Sequence, residues 1–203
     1  MLTLLKTYLN SFLLTVILLF VLCGSFFFAS TQLVILSDNI EQDRFVRDMV
    51  TQYESAQNAK EKITKEKEKE INCLAMNIYY EAGNESMEGK LAVAQVTMNR
   101  THNKGYPTTI CGVVYQNTLY DDGTRVYQFS WVGEHHKPGE MNPYNWKEAR
   151  WIAREALTNG VAHDTLAKHN VLFYHAAYVH PGWTNVREYT TIGHHIFYVS
   201  LII

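Results

Sequence analysis

The feature that most constrains this chain is a long apolar run near its N-terminus. No charged residue occurs between Lys6 and Asp38, and the stretch 11–36 consists mainly of Leu, Phe, Val and Ile. An apolar run of more than about 20 residues is long enough to cross a bilayer as a helix. This run has no polar face of the kind that a surface helix of a soluble domain carries, and no small-x-small cleavage site follows it at 26–30. The sequence therefore predicts an uncleaved, single-pass transmembrane anchor over residues 1–36.

The charges that flank the apolar run predict its orientation. Lys6 and the terminal amine precede it, whereas Asp38, Glu41 and Asp43 outnumber Arg44 just after it. Because positive charges favour the cytoplasmic side, the N-terminus is expected in the cytoplasm. The rest of the chain is then expected on the periplasmic or outer side of the inner or cytoplasmic membrane.

Residues 37–70 have the composition of a charged helical stalk. They contain no Pro or Gly, and they end in an alternation of Lys and Glu over 60–70. Lys and Glu favour helix and form ion pairs between successive turns. The remaining segment, 71–203, is predicted to be one globular domain. The net charge of −2 and the lack of a clustered basic face argue against a nucleic-acid partner.

Two helices are predicted on either side of a Gly-Asn pair at 83–84. Gly83 is expected to take the left-handed conformation that ends a helix. The first helix has an apolar stripe at helical spacing, formed by Leu74, Ala75, Ile78 and Ala82. The second, over about 86–101, is expected to bury Met87, Leu91, Ala94 and Met98.

The later elements are predicted from residues that begin or end helices and from a change in the periodicity of the sequence. A short helix is expected at 110–115, a surface loop or hairpin at 118–139, and a long helix at 144–159 that begins after Pro143 and ends at Gly160. From Val171 onward the period becomes two, which predicts strands at 171–175 and 192–199. The fold class is therefore α+β and mainly helical, with a small late β-sheet.

Glu81 is the candidate for acid chemistry. It falls on the edge of the apolar stripe, beside Leu74, rather than on the opposite face. A half-desolvated carboxyl favours its protonated form and is suited to donate a proton near neutral pH. The spacing alone leaves open the alternative of an edge glutamate that simply points outward into solvent.

The cysteines offer one disulfide. Cys23 lies in the apolar run, which leaves Cys73 and Cys111 in the globular part. In an oxidising compartment these two form a bridge, and otherwise they are two buried thiols. The sequence leaves both alternatives open.

Five blocks, in order, resemble the spore-cortex-lytic (SleB/CwlJ-type) cell-wall hydrolase family. They are YYEAGNESMEGKLAVAQVTMNR, YPTTICGVVYQ, QFSW, FYHAAYVHPGW and IGHHIFYV, and they span about residues 73–199. The resemblance implies a lysozyme-like fold, cleavage of peptidoglycan glycan strands, and Glu81 as the catalytic acid. The family usually shows Glu-Ala-Arg-Gly-Glu where this chain has Glu81-Ala82-Gly83-Asn84-Glu85, so the surroundings of Glu81 differ.

Further site residues follow from the same blocks. The substrate-binding candidates are Tyr80, Gln128, Ser130, Trp131, Tyr174 and His175. The amide and hydroxyl of the Gln-Phe-Ser-Trp block suit sugar hydroxyls or N-acetyl groups, although the same sequence also suits a hairpin that buries Phe129 and Trp131. Candidates for a second carboxylate are Glu85, Glu88, Asp121, Asp122 and Glu134.

The expected reaction is that of a lytic transglycosylase with one acid/base and no metal or cofactor. Its partners are peptidoglycan glycan strands and, through the N-terminal helix, the membrane. Two alternatives stay open at this point. One is a zinc-dependent amidase, since the chain holds nine histidines, including His135-His136 and His194-His195. The other is an inactive wall-binding scaffold.

Overall fold

A computed structural model describes residues 2–134 and 141–201 of the chain. Contacts divide the chain into two compact units, Met1–Glu61 and Lys62–Ile203. His135-His136 lie outside the described residues. The helices are α1 (Leu2–Ala82), α2 (Met87–Thr101), α3 (Ile110–Val114), a 3₁₀ helix (Ser130–Gly133), α4 (Pro143–Asn159) and α5 (Asp164–Lys168). The strands are β1 (Asn117–Leu119), β2 (Arg125–Tyr127), β3 (Val171–Ala176), β4 (Val186–Ile192) and β5 (His195–Ser200).

The first unit is helical throughout its described residues. Its apolar side chains, such as Phe20 and Phe26, are exposed, as expected of a helix that has no protein packed around it. By length and composition α1 is suited to cross a membrane.

The second unit is built around the end of α1. The predicted stripe is confirmed, because Leu74, Ala75, Ile78 and Ala82 are all buried. Charged residues just before the stripe also make contacts within this unit. Glu68 pairs with Arg150 and Arg154 of α4, and the carboxylate of Glu70 accepts a hydrogen bond from the backbone N–H of Ile110 at the start of α3.

The α2 helix lies at the centre of the second unit. It contacts α3, α4, α5, β3 and β4. Ala94 and Met98 are buried as predicted, but the prediction for Met87 is wrong, because its side chain in the first turn is 42% exposed. Polar side chains of α2 are buried too: Asn99 donates hydrogen bonds to the backbone oxygens of Leu166 and Val171. These bonds fix the chain that leads into the sheet.

The remaining elements confirm the α+β class. The sheet has the antiparallel order β3-β5-β4, and β1 and β2 form a hairpin. The α4 helix has the predicted caps, with Pro143 in its first turn and Gly160 in the left-handed conformation at φ 75°. The predicted strand at 192–199 is wrong in one respect, because the chain turns at Gly193 (φ 57°) between β4 and β5.

Gly83 differs from its prediction. It is absent from the glycines with positive φ, so it does not end α1 in the left-handed conformation. A Cβ at this position would lie 2.5 Å from the backbone oxygen of Tyr79. The glycine is therefore required by close approach of the backbone to the last turn of α1.

The Cys73–Cys111 disulfide joins α1 to α3. The two Cα atoms are 5.1 Å apart, and 38 positions separate the cysteines in the sequence. Cys23 is exposed and unbridged. Of the two alternatives left open by the sequence, the structure contains the bridge.

Candidate active site

Glu81 occupies the last turn of α1, where the apolar stripe meets a groove. Its side chain is half-buried, which is the position expected from the helical spacing. It lines a cavity of about 390 Å³ whose wall also includes Tyr80, Glu85, Tyr178 and His195. The Glu81 carboxyl therefore lies at the wall of a cavity rather than in the core.

Two groups close to Glu81 act on its pKa in the direction opposite to burial. The hydroxyl of Tyr174 on β3 donates a hydrogen bond to Glu81 Oε2 at 3.1 Å, and Arg100 of α2 lies close enough for its charge to act. Burial, the largest effect, raises the pKa of Glu81, while the Tyr174 hydrogen bond and the Arg100 charge lower it. The net shift is upward, so the protonated form persists to higher pH than in an exposed glutamate.

Tyr174 itself stays protonated. Burial and the negative charge of Glu81 raise its pKa well above the usual value for tyrosine. Its ring meets the edge of His195 at 5.3 Å and is tilted against Phe197 at 5.7 Å. The hydroxyl is thus a fixed donor to the carboxylate form of Glu81.

Glu85 is the second carboxylate of the groove. Its side chain is almost fully buried, and it accepts hydrogen bonds from the backbone N–H and from Nδ1 of His194, the latter at 2.9 Å. A Cβ on Gly193 would collide with this carboxylate, so the β4–β5 turn needs glycine here both for its φ and for space. Among the five candidates for a second carboxylate, Glu85 is the one that lines the Glu81 cavity.

The other candidates lie elsewhere. Glu88 is exposed on the first turn of α2, and Asp121 and Asp122 lie in the β1–β2 turn, where Asp122 Oδ1 accepts from the backbone N–H of Thr124. Glu134 is exposed after the 3₁₀ helix. Glu81 lines two cavities, and none of these four residues lines either of them.

The Gln-Phe-Ser-Trp block is divided between the site and the core. Gln128 lines a second, smaller cavity that also includes Glu81. Trp131 is only 6% exposed, and its Nε1 donates to Asn77 Oδ1 while its ring stacks on Tyr80 at 4.7 Å. The substrate contact predicted for Trp131 is therefore corrected to a supporting position beneath Tyr80. Ser130 is exposed and lines neither cavity.

His175 points away from Glu81, because neighbouring residues of a strand face opposite sides of the sheet. Its Nδ1 donates to the backbone oxygen of Ala176, and its Nε2 forms a hydrogen bond with the hydroxyl of Tyr198 at 2.8 Å. Both ring nitrogens are thus engaged within the protein. Of these two neighbours on β3, Tyr174 is the one that contacts Glu81.

Arg100 is the site residue that sequence reasoning missed. A signal was present: α2 carries polar residues on every side, including Gln95, Thr97 and Asn99, so it has no separate solvated face. A helix patterned in this way is either wholly exposed or buried with its polar groups paired. In the structure α2 is buried, and Gln95, Thr97 and Asn99 are hydrogen-bonded within the protein.

A comparison with protein families identifies the class of protein to which this fold and site belong. Residues 84–198, which are 115 of the 203, match the family model described as Cell Wall Hydrolase. The chain belongs to this cell-wall hydrolase family, and the resemblance noted in the sequence is confirmed. The match begins three residues after Glu81.

Individual relatives are also similar. The chain is 27% identical over 129 residues to a spore cortex-lytic enzyme of Oceanobacillus iheyensis, an alignment that covers 63% of this chain and 41% of that protein. The chain thus aligns with less than half the length of that relative. Two solved structures are each 25% identical over 64% of this chain. They are the catalytic domains of the germination-specific lytic transglycosylase SleB of Bacillus anthracis (93% covered, TM-score 0.44) and of the Bacillus cereus SleB protein (89% covered, TM-score 0.41).

Proposed function

We propose that this chain is a membrane-anchored enzyme that cleaves peptidoglycan glycan strands between N-acetylmuramic acid and N-acetylglucosamine. The observation that carries the proposal is the environment of Glu81. Its carboxyl is half-buried, has a raised pKa and lines a groove, and it accepts a hydrogen bond from the hydroxyl of Tyr174. Family membership supports the substrate class, and the resemblance noted in the sequence implies the reaction type.

The proposed reaction uses Glu81 twice. Protonated Glu81 donates its proton to the glycosidic oxygen as the bond from that oxygen to C1 of the muramic acid breaks. The carboxylate then takes the proton of the 6-hydroxyl of the same sugar while that oxygen bonds to C1. The product is a 1,6-anhydro sugar, no water is consumed, and Glu81 regains its proton.

The neighbours of Glu81 suit this sequence of steps. Burial favours the protonated form that must be present before cleavage, whereas the Tyr174 hydroxyl and the Arg100 charge stabilise the carboxylate that exists between the two transfers. A general acid is most effective when its pKa lies near the working pH, so opposing effects of this kind are expected at such a group.

Analysis of the products tests the reaction. Purified peptidoglycan is digested with the full-length chain in detergent, with and without a chelator, and the sugars are weighed by mass spectrometry. We expect anhydro-muropeptides, which are lighter by one water than hydrolysed ones, and no effect of the chelator. Reducing ends would instead show hydrolysis, freed stem peptides sensitive to chelator would show an amidase, and an undigested wall would favour the scaffold alternative.

The anchor forms part of the proposal. The exposed apolar stretch of α1 and the charges around it support a single-pass helix with the enzyme unit outside the cytoplasmic membrane. Fractionation of cells that express the chain tests this: we expect it in the membrane pellet after a carbonate wash, and its recovery in the soluble fraction would contradict the anchor.

Tyr174→Phe tests how Glu81 is tuned. Removing the hydroxyl removes a hydrogen bond that lowers the pKa of Glu81, so the pKa rises further and the acid stays protonated to higher pH. A hydrogen bond to a charged group contributes about 1.5–3 kcal/mol, and its loss favours the protonated carboxyl. We expect the alkaline limb of the cleavage rate to move to higher pH.

The matched control is Tyr189→Phe, which removes a hydroxyl that contacts His169 away from the groove. Its alkaline limb should coincide with that of the parent chain. An unchanged limb in Tyr174→Phe would show that Tyr174 does not tune the acid.

A further inference from the structure

Two side chains at the mouth of the Glu81 groove have no part in the proposed acid chemistry. Tyr178, on the loop between β3 and β4, is 84% exposed, and the side chain of His194, on the β4–β5 turn, is 85% exposed. Both line the larger cavity together with the half-buried Glu81. The backbone N–H of Ala177 donates to the backbone oxygen of His194 at 2.8 Å, which joins the loop to the turn. We call Tyr178 and His194 the rim pair.

The imidazole of His194 is held in place although it is exposed. Its Nδ1 donates a hydrogen bond to Glu85 Oε1 at 2.9 Å, and the backbone N–H of His194 donates to Glu85 Oε2 at 3.2 Å. The Glu85 side chain is only 8% exposed, so its two oxygens are engaged within the protein rather than offered to a substrate. Because the carboxyl holds Nδ1, the ring nitrogen that is left for a ligand is Nε2.

Glycines on two elements make room for this arrangement. A Cβ on Gly89 of α2 would lie 2.8 Å from the Cβ of Glu85, and a Cβ on Gly193 would collide with the Glu85 carboxyl. Fixing an exposed side chain costs conformational entropy, and His194 buries little surface in return. The arrangement is therefore suited to present the imidazole to a ligand at the mouth of the groove.

The position of the rim pair indicates which part of a glycan strand it meets. Under the proposed reaction, the sugars of the scissile bond reach Glu81, which is more deeply buried than the rim pair. The cavity, at about 390 Å³, is at the small end of the range for ligand pockets, so a group as large as the stem peptide does not fit inside it together with the sugars. The stem peptide, carried by the lactyl group of muramic acid, offers amide N–H groups and carboxylates to an imidazole and aliphatic side chains to a tyrosine ring.

We infer that the rim pair is a contact site for the stem peptide, in which His194 Nε2 forms a hydrogen bond with the peptide and the Tyr178 ring packs against it. The inference rests on the proposed function, since it names a further part of the same substrate. His194 and Tyr178 are then specificity-determining residues, because they favour strands that carry peptides over bare glycan.

Cleavage of two matched substrates tests the inference with the protein left intact. Uncross-linked glycan strands are prepared from wall with an endopeptidase, and one portion is freed of its stem peptides with an N-acetylmuramoyl-L-alanine amidase. We expect the full-length chain in detergent to cleave the peptide-bearing strands about tenfold faster, which is the effect of one or two hydrogen bonds. Equal rates, or faster cleavage of the bare strands, would overturn the inference.

Two substitutions at the mouth of the groove test the assignment to these residues. The readout is the ratio of the two rates within each variant, because a loss of folded protein lowers both rates equally. His194→Ala and Tyr178→Ala are each expected to bring the two rates severalfold closer together. His102→Ala alters an exposed histidine that lines neither Glu81 cavity, and it should keep the ratio of the parent chain. A ratio that stays at the parent value in both rim variants would contradict the rim pair.

Binding separates this inference from the proposed function. Full-length Glu81→Gln chain is titrated with a tetrasaccharide of the strand that carries its stem peptides, and with the same tetrasaccharide after amidase treatment, and binding is followed by calorimetry. Tighter binding of the peptide-bearing form supports the rim pair even if no wall is cleaved, an outcome that would reject the proposed function alone. Equal binding of the two forms, or no binding of either, would overturn the rim pair.

Discussion

Glu81→Gln is expected to abolish glycan cleavage. Glutamine keeps the size of the side chain and can still accept the Tyr174 hydrogen bond, but it has no proton to donate. Loss of a general acid reduces rates by about 10²–10⁴-fold, which would bring the release of anhydro-muropeptides to background. The matched control is Glu155→Gln on the exposed face of α4, which should retain the activity of the parent chain.

The same variant should be at least as stable as the parent at neutral pH. The folded pKa of Glu81 is raised, so its contribution to stability is present at pH values below its unfolded pKa, about 4.3, and is lost as the pH rises through the folded pKa. Above that point the parent carries the cost of a half-buried carboxylate and the glutamine variant does not. Thermal melts across pH should therefore show a gain for the variant that disappears on acidification. A fully active variant would refute the role of Glu81.

Removal of the disulfide is expected to have the largest effect on stability. The bridge closes a loop of 38 positions between α1 and α3, and the loop-entropy relation gives about 4 kcal/mol for a loop of this length. Chemical denaturation of the oxidised full-length chain and of the double variant Cys73→Ser/Cys111→Ser measures the difference in the free energy of unfolding. Cys23→Ser, which alters the exposed and unbridged cysteine, is the control and should leave the midpoint unchanged. Equal stability of the double variant and the parent would show that the bridge does not form in solution.

The parts of the fold that sequence reasoning predicted are set by local physics. The stripe of Leu74, Ala75 and Ile78 follows from the helical period, and the end of α4 at Gly160 follows from the need for a left-handed residue after a helix. The position of Glu81 was predicted from the same helical period. Its spacing from Leu74 places both side chains on the same side of the helix. Such features depend on residues only a few positions apart.

The features that were missed depend on contacts between distant segments. Arg100 lies beside Glu81 because α2 and β3 pack behind α1, and no spacing within α2 indicates this. Trp131 was assigned to the site as part of the Gln-Phe-Ser-Trp block, but its Nε1 donates a hydrogen bond to the buried Asn77 and its ring lies in the core. Gly193 was placed within a strand, although the position must turn and leave space for Glu85.

The central claim is that the Glu81 carboxyl holds its proton to higher pH than an exposed glutamate does and delivers that proton to the glycan. The most direct measurement is a carbon-13 NMR titration of the glutamate side chains in the full-length chain, with the Glu81 signal identified from its loss in Glu81→Gln, alongside the pH dependence of cleavage. We predict a pKa for Glu81 above the usual glutamate value, with the alkaline limb of the rate following the same titration. A Glu81 that titrates at or below the usual value while cleavage continues undiminished at higher pH would contradict the account.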